Sequence, residues 1–182
     1  MIIAEGERIF LRHLHIADVE NMCAVWGDSE AMRFGQSREK VEQMIKGCLE
    51  DYYHKWGFGL WAVVLRADST LVGYCGLTRF DNIDGQAEVE LGYRLAPEYR
   101  GQGLATEAAR LVQAYAFNTL GLRRLVSIIS PENAQSIRVA EKTGFRYEKS
   151  VEGPAGRMQR LYSCVPANES RPEPGVSGGR VR

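Results

Sequence analysis

A chain of 182 residues has room for one self-sufficient core, since ~150 residues already bury roughly 70% of the unfolded surface without staples. Acidic and basic residues balance at 23 each, so the overall basic excess that favours nucleic acid or an anionic membrane is missing. Glu5 interrupts the apolar start MIIAEG, and no segment approaches the ~18 uninterrupted apolar residues of a membrane span, so a soluble, cytoplasmic protein is expected.

In chain order, Arg8 to Arg12 (RIFLR) reads as a short strand. Ile16, Val19, Met22, Cys23 and Trp26 recur at helical spacing, with Asp18 bringing negative charge to the first turn. A second helix starts after Ser37, a good N-cap, and carries Val41, Met44, Ile45, Cys48 and Leu49 on one face. Leu60 to Arg66 and Thr70 to Phe80 are β-rich runs about a short turn, which predicts a hairpin. After DNIDG comes AEVELGYRL, in which Glu88, Glu90 and Gly92 share one face and Val89, Leu91 and Tyr93 the other. A helix over about Gly101 to Phe117, a strand over Leu122 to Ser130 and a helix over Asn133 to Lys142 follow, the last closed by Gly144. FRYEKSVEG and RMQRLYSCV supply two final strands. From Pro166 to Arg182 three prolines and three glycines come with almost no apolar content, so a domain over 1–165 and a disordered tail over 166–182 are expected. The pattern implies an α+β fold bordering on α/β, with a mixed, mostly antiparallel sheet of about seven strands between helices.

Cys23, Cys48, Cys75 and Cys164 form no CxxC pair and have no histidine at ligand spacing, so four free thiols and no metal are expected. His13, His15 and His54 read as ordinary surface or edge residues.

The segment EYRGQGLATEAARL (Glu98 to Leu111) sets two glycines immediately before an amphipathic helix with Leu104, Ala108, Leu111, Val112 and Tyr115 on one stripe. The first amides of a helix lack intrahelical partners. Gly101 and Gly103 remove side chains in front of them, and the helix dipole favours negative charge there, so the turn suits a phosphate. A Walker A loop fails for want of its Lys-Ser/Thr ending. The dinucleotide fingerprint is poor, with Thr106 in the third glycine's place and Arg123-Arg124 where an acid is needed. A glycine turn without a ligand stays open as an alternative.

Arg100-Gly-Gln-Gly103-Leu-Ala105 resembles the Q/R-x-x-G-x-G/A motif of the GNAT superfamily of N-acetyltransferases, and Asn133 to Phe145 (NAQSIRVAEKTGF) resembles that family's later cofactor-contacting helix. The opening RIFLRHLHIADVENM and the stretch DSEAMRF are similar to the ribosomal-protein-alanine N-acetyltransferase subgroup. The resemblance implies that the amides of Gly101, Gln102, Gly103, Leu104, Ala105 and Thr106 hold the pyrophosphate of acetyl-CoA, with Arg100 adding charge. It also implies that the backbone of Tyr93, Arg94 and Leu95 pairs with the pantetheine arm, and that Asn133 contacts the cofactor.

Acetyl transfer from sulfur to nitrogen needs a neutral amine, a stabilised oxyanion and a proton for the thiolate. By resemblance Glu90 is the general base and a backbone amide near Leu95 the oxyanion donor. Glu88, one alternation away, is the second carboxylate candidate; for both, a solvated face or a pair with an arginine is the competing reading. The family's tyrosine donor is replaced by Ala140, so Ser136 is assigned as donor, with Tyr147 as fallback. The expected acceptor is a protein N-terminus or a small-molecule amine, since an α-amino group (pKa ~8) loses its proton more readily than lysine (~10.4). Trp26, Phe34, Trp56 and Phe58 are groove or core aromatics. A homodimer is allowed; nucleic acid and membrane are not expected as partners. A CoA sensor without turnover, and an enzyme using another acyl-CoA, are the alternatives.

Overall fold

In the computed structural model, which describes residues 1–27, 37–153 and 156–167, the β-rich runs become strands β1 (Ile2–Glu5), β2 (Ile9–His13), β3 (Leu60–Leu65), β4 (Leu71–Ile83), β5 (Gln86–Leu95), β6 (Leu125–Ile129), β7 (Arg146–Glu152) and β8 (Met158–Cys164). They join one sheet in the order β1-β2-β3-β4-β5-β6-β8-β7. Every neighbouring pair is antiparallel except β5 and β6. The count exceeds the expected seven by β1, a four-residue edge strand too short to show alternation. DSEAMRF with Phe34, and the tail from 168 onward, lie outside the described residues.

Helices α1 (Val19–Trp26) and α2 (Arg38–Gly47) cover one face, and α4 (Leu104–Asn118) and α5 (Ala134–Lys142) the other; a single helical turn, α3 (Tyr53–Lys55), precedes β3. Alternation along β3 divides the core. Trp61 and Val63 pack with Leu91, Leu104, Ala108 and Val112, whereas Ala62 and Val64 pack with Met22, Val25, Val41 and Ile45. Ser37 caps α2 as expected, its Oγ accepting from Lys40 N–H at 3.4 Å.

Three details go beyond the sequence reading. Asp18 lies in the first helical turn as expected, at the N-cap of α1, but it does more there: it is buried and takes a two-pronged ion pair from Arg12 at 2.7 and 2.8 Å, plus the His15 amide at 2.8 Å. His13 is no idle edge residue, because its ring stacks on Tyr53 at 3.9 Å. After α2 the chain widens into a π turn over Cys48–Tyr52, where Tyr53 N–H reaches back to Cys48 O.

The parallel pair decides where a site can form. β5 and β6 are joined by the α4 crossover, yet their pairing comes down to Glu90 opposite Val126. Beyond it the strands diverge, so the edge of Gly92 to Leu95 that faces β6 has no strand partner among the described residues.

Candidate active site

The divergence of β5 and β6 opens a cavity of about 300 Å³, whose lining includes Tyr74, Thr78, Glu90, Gly92, Tyr93, Ser127, Asn133 and Ser136. Ser127, buried on β6, donates its hydroxyl to Leu91 O at 3.2 Å and links the two strands where their ladder ends. Gly92 keeps the wall low, since a Cβ there would project into open space.

Glu90 stands at the point of divergence. Its Oε1 accepts the Ile128 amide at 3.1 Å, and no cation is paired with it among the described residues. Burial pushes its carboxyl up to about 7, partly offset by that amide. Such a group holds both protonation states near neutral pH. Glu88 has different surroundings: it is buried, and Arg124 Nε lies 3.1 Å from each of its oxygens, while Arg124 Nη2 also reaches Glu148 at 2.9 Å. The competing reading, a pair with an arginine, describes Glu88, which does not line the cavity.

Ser136 and Asn133 both reach the cavity from the start of α5, with Asn133 Oδ1 capping Ser136 N–H at 3.1 Å. The side chain that sequence reasoning missed is Tyr93, considered only for its backbone. Burial pushes its phenol up to about 12, with Ser136 pulling the other way, yet the hydroxyl makes no well-formed hydrogen bond. The two hydroxyls are near neighbours in loose contact. Tyr147 is removed as a fallback: it is exposed on β7, edge-on to Tyr162 and beside Ser150.

At the other end of the open strand lies the glycine turn. Gly101 and Gly103 have φ of 75° and 82°, in the left-handed region that disfavours other residues, and a Cβ at Gly101 would meet nothing within 4 Å. No side chain caps α4. Glu107 N–H, to Gly103 O at 3.1 Å, is the helix's first backbone bond. The amides from Gly101 to Thr106 therefore have no backbone acceptor among the described residues, a set of donors that fits a pyrophosphate.

The turn is held from two sides. Arg100 Nε donates to Leu95 O at 2.8 Å, which fastens the turn to the end of β5. Arg8 donates to Gln102 O at 2.8 Å and pairs with Glu107 at 2.8 Å. Arg8 was legible in the sequence only as part of a strand, because its partners are about a hundred residues away.

Among the aromatics, Phe58 is core and Trp26 lies under the Arg94 guanidinium at 3.7 Å. Trp56 lies beneath Arg79 at 4.4 Å. The Arg94 side chain is thus placed on the face of α1, away from the edge that its backbone presents.

The family model of the acetyltransferase (GNAT) domain matches residues 8–146. The chain belongs to the GNAT acetyltransferase family. Over 168 residues it is 26% identical to the N-acetyltransferase p20 of Bacillus licheniformis, covering 86% of this chain and 90% of that protein. Over 90 residues it is 37% identical to the spermidine N(1)-acetyltransferase of Escherichia coli, covering 50% of this chain and 45% of that enzyme. Its fold matches that of the ribosomal-protein-S5-alanine acetyltransferase of Vibrio fischeri with a TM-score of 0.72 at 18% identity, over 92% and 98% of the two chains. GNAT enzymes transfer acetyl from acetyl-CoA to an amine. Among the described residues no helix is long and apolar enough to cross a membrane.

Proposed function

We propose that this GNAT protein acetylates a primary amine, a protein N-terminus or a small-molecule amine, by direct attack on acetyl-CoA with Glu90 as general base. The observation that carries the reading is a carboxylate at the fork of β5 and β6 that has no paired cation among the described residues and a pKa near 7. The relatives named for spermidine and for a ribosomal protein support an amine acceptor and differ in its kind.

Acetyl-CoA supplies the activated acyl group, a thioester carbonyl. The amides of Gly101 to Thr106 hold its pyrophosphate, with Arg100 adding charge, and the open edge of Tyr93, Arg94 and Leu95 takes the amide-bearing arm as a further strand would. Asn133 serves both as cap of α5 and as a cofactor contact at the cavity's rim. Glu90 takes the proton from the incoming ammonium or amine as the N–C bond forms, directly or through water in the cavity. A backbone amide near Leu95 faces the carbonyl oxygen. As the C–S bond breaks, the sulfur collects a proton by way of the Ser136 and Tyr93 hydroxyls. Tyr93, with its high pKa, stays protonated and donates a hydrogen bond, whereas Ser136 passes the proton from solvent. Glu88 is assigned to structure.

The non-catalytic reading, a CoA sensor, draws on Ala140 standing where relatives carry a tyrosine; the hydroxyls of Tyr93 and Ser136 at the cavity answer that loss. Incubating purified protein with acetyl-CoA and a panel of amines, while following free thiol, tests the reading. Amine-dependent thiol release is expected. CoA that protects the fold against heat without any release would favour the sensor.

A further inference from the structure

A second hollow adjoins the cavity on the side of α2. It measures about 230 Å³ and is lined by Met44, Gly47, Cys48, Tyr52, Leu60, Leu77 and Thr78. Leu60 and Thr78 also line the cavity that holds Glu90, so the two lie side by side and share a wall. Thr78 lies directly opposite Glu90 in the β4–β5 ladder, and such pairs have Cβ atoms ~5 Å apart. A group lodged beside Thr78 is therefore near an amine presented to Glu90.

The walls are apolar by construction. The π turn adds a residue to the helical circuit just where Cys48 and Tyr52 border the hollow; such turns recur at functional sites. Gly47 contributes no side chain, and a Cβ there would meet nothing within 4 Å. Met44 is a flexible, polarisable neighbour suited to varied apolar shapes. Cys48 and Tyr52 are the ionisable groups in the lining, and burial pushes both pKa values up, which keeps them neutral at physiological pH. Carboxylates nearby do not supply a counter-charge inside: Asp81 is paired with Arg79 at 3.0 Å, and Asp51 is exposed to water.

We infer that this hollow is the acceptor subsite and that the acceptor is a primary amine bearing an uncharged, apolar substituent close to the nitrogen. The inference rests on the acetyl-transfer reading and narrows it. A polyamine's second ammonium placed here would lose hydration with no partner among the described residues, whereas an aliphatic or aryl group displaces water from apolar walls. Two sources carry this chemistry, a protein N-terminus beginning with an apolar residue and a free arylalkylamine.

The test measures kcat/KM for a leucine-starting peptide, phenethylamine, glycinamide and spermidine with the whole protein. The peptide or phenethylamine should exceed glycinamide and spermidine at least tenfold, and whichever of the two is the better identifies the source. Gly47→Leu should fill the hollow and cut the ratio of apolar substrate to glycinamide at least tenfold, mainly through KM; Met44→Ala should move preference toward bulkier substituents. The CoA-induced rise in Tm checks that each variant is folded. Spermidine or glycinamide matching the apolar amines, or Gly47→Leu lowering all substrates in parallel, would overturn the subsite while leaving acetyl transfer in place. No turnover with any amine despite CoA binding would overturn the acetyl-transfer reading, and the subsite with it.

Discussion

In the first half of β5, Glu88 is enclosed, and its charge is matched by Arg124, which also reaches Glu148. Glu90 marks the bridge of β5 to β6, beyond which the pairing stops, and the carboxylate there has one amide and, among the described residues, no paired cation. The two residues share chemistry, strand and face. What separates them is what the neighbouring segment brings: Arg124, just before β6, meets Glu88, whereas Glu90, at the bridge between β5 and β6, receives a backbone amide and is left with a proton to exchange. The lesson is that alternation along a strand selects candidates for a base, and the groups that the neighbouring segment brings up decide between them.

Exchanging each carboxylate for its amide is the strongest attempt to break this contrast. Glu90→Gln should lower acetyl transfer by about 10²–10⁴-fold and remove from kcat/KM the rise with pH centred near 7, the pKa of the Glu90 carboxyl. Glu88→Gln should change turnover only a few-fold but cost about 2 kcal/mol in urea unfolding, since the partly buried Arg124 loses its main partner. A reversed result would sink the assignment. Stability adds an independent arm. A carboxyl whose folded pKa lies above the ordinary 4.5 stabilises the fold relative to its ionised form at low pH, and that contribution is lost as pH rises from about 4.5 through 7. The loss amounts to roughly 3 kcal/mol at most, because water in the cavity relieves some of it. Glu90→Gln should therefore gain stability over the parent at pH 8 and little at pH 4, a difference that a Tm series reads directly.

The open half of β5 is useful only if the glycine turn beyond it grips a ligand. Gly103→Val places a β-branched residue at φ 82° and a methyl-bearing side chain before the bare amides, so calorimetry should find CoA affinity lower by about 100-fold, alongside a stability loss of about 1–2 kcal/mol. Asn133→Ala is the control at the other helix start: it removes the bond to Ser136 N–H and should cost about 1 kcal/mol, with a smaller effect on affinity. Equal losses of affinity would mean that the two helix starts share the cofactor evenly and that the turn is not its main anchor.

Much of this was legible in the chain itself. Periodicity located both helices on the α1 face, the helix after the turn and the strand AEVELGYRL, since these signals are local and the burial pattern repeats them. The glycine turn was legible for the same reason: φ preference and unpaired amides are properties of neighbouring residues. Glu90 could be ranked above Glu88 only by resemblance, because Arg124, which pairs with Glu88, arrives from 36 residues away. Ser127, Arg8 and the Tyr93 hydroxyl were missed on similar grounds: their roles depend on which strands pair and which part. The fork itself has no sequence signature here, as it is the absence of pairs that β-propensity would allow.

The smallest effects concern the hydroxyls on the far side of the fork from Glu90. Ser136→Ala should lower kcat about tenfold, leaving the cap of α5 intact because Asn133 bonds the backbone amide of residue 136. Tyr93→Phe should lower kcat by a similar or smaller factor and leave stability level or slightly higher, since the phenol it removes is buried without a well-formed hydrogen bond. If both groups act on the same sulfur, the double variant will lose less than the product of the single losses, because a step already missing its donor has little more to lose from the neighbour. Multiplying losses would instead assign the hydroxyls to separate tasks, Ser136 at the thiol and Tyr93 at the cavity wall, and the open half of β5 would then act on the ligand through its backbone alone.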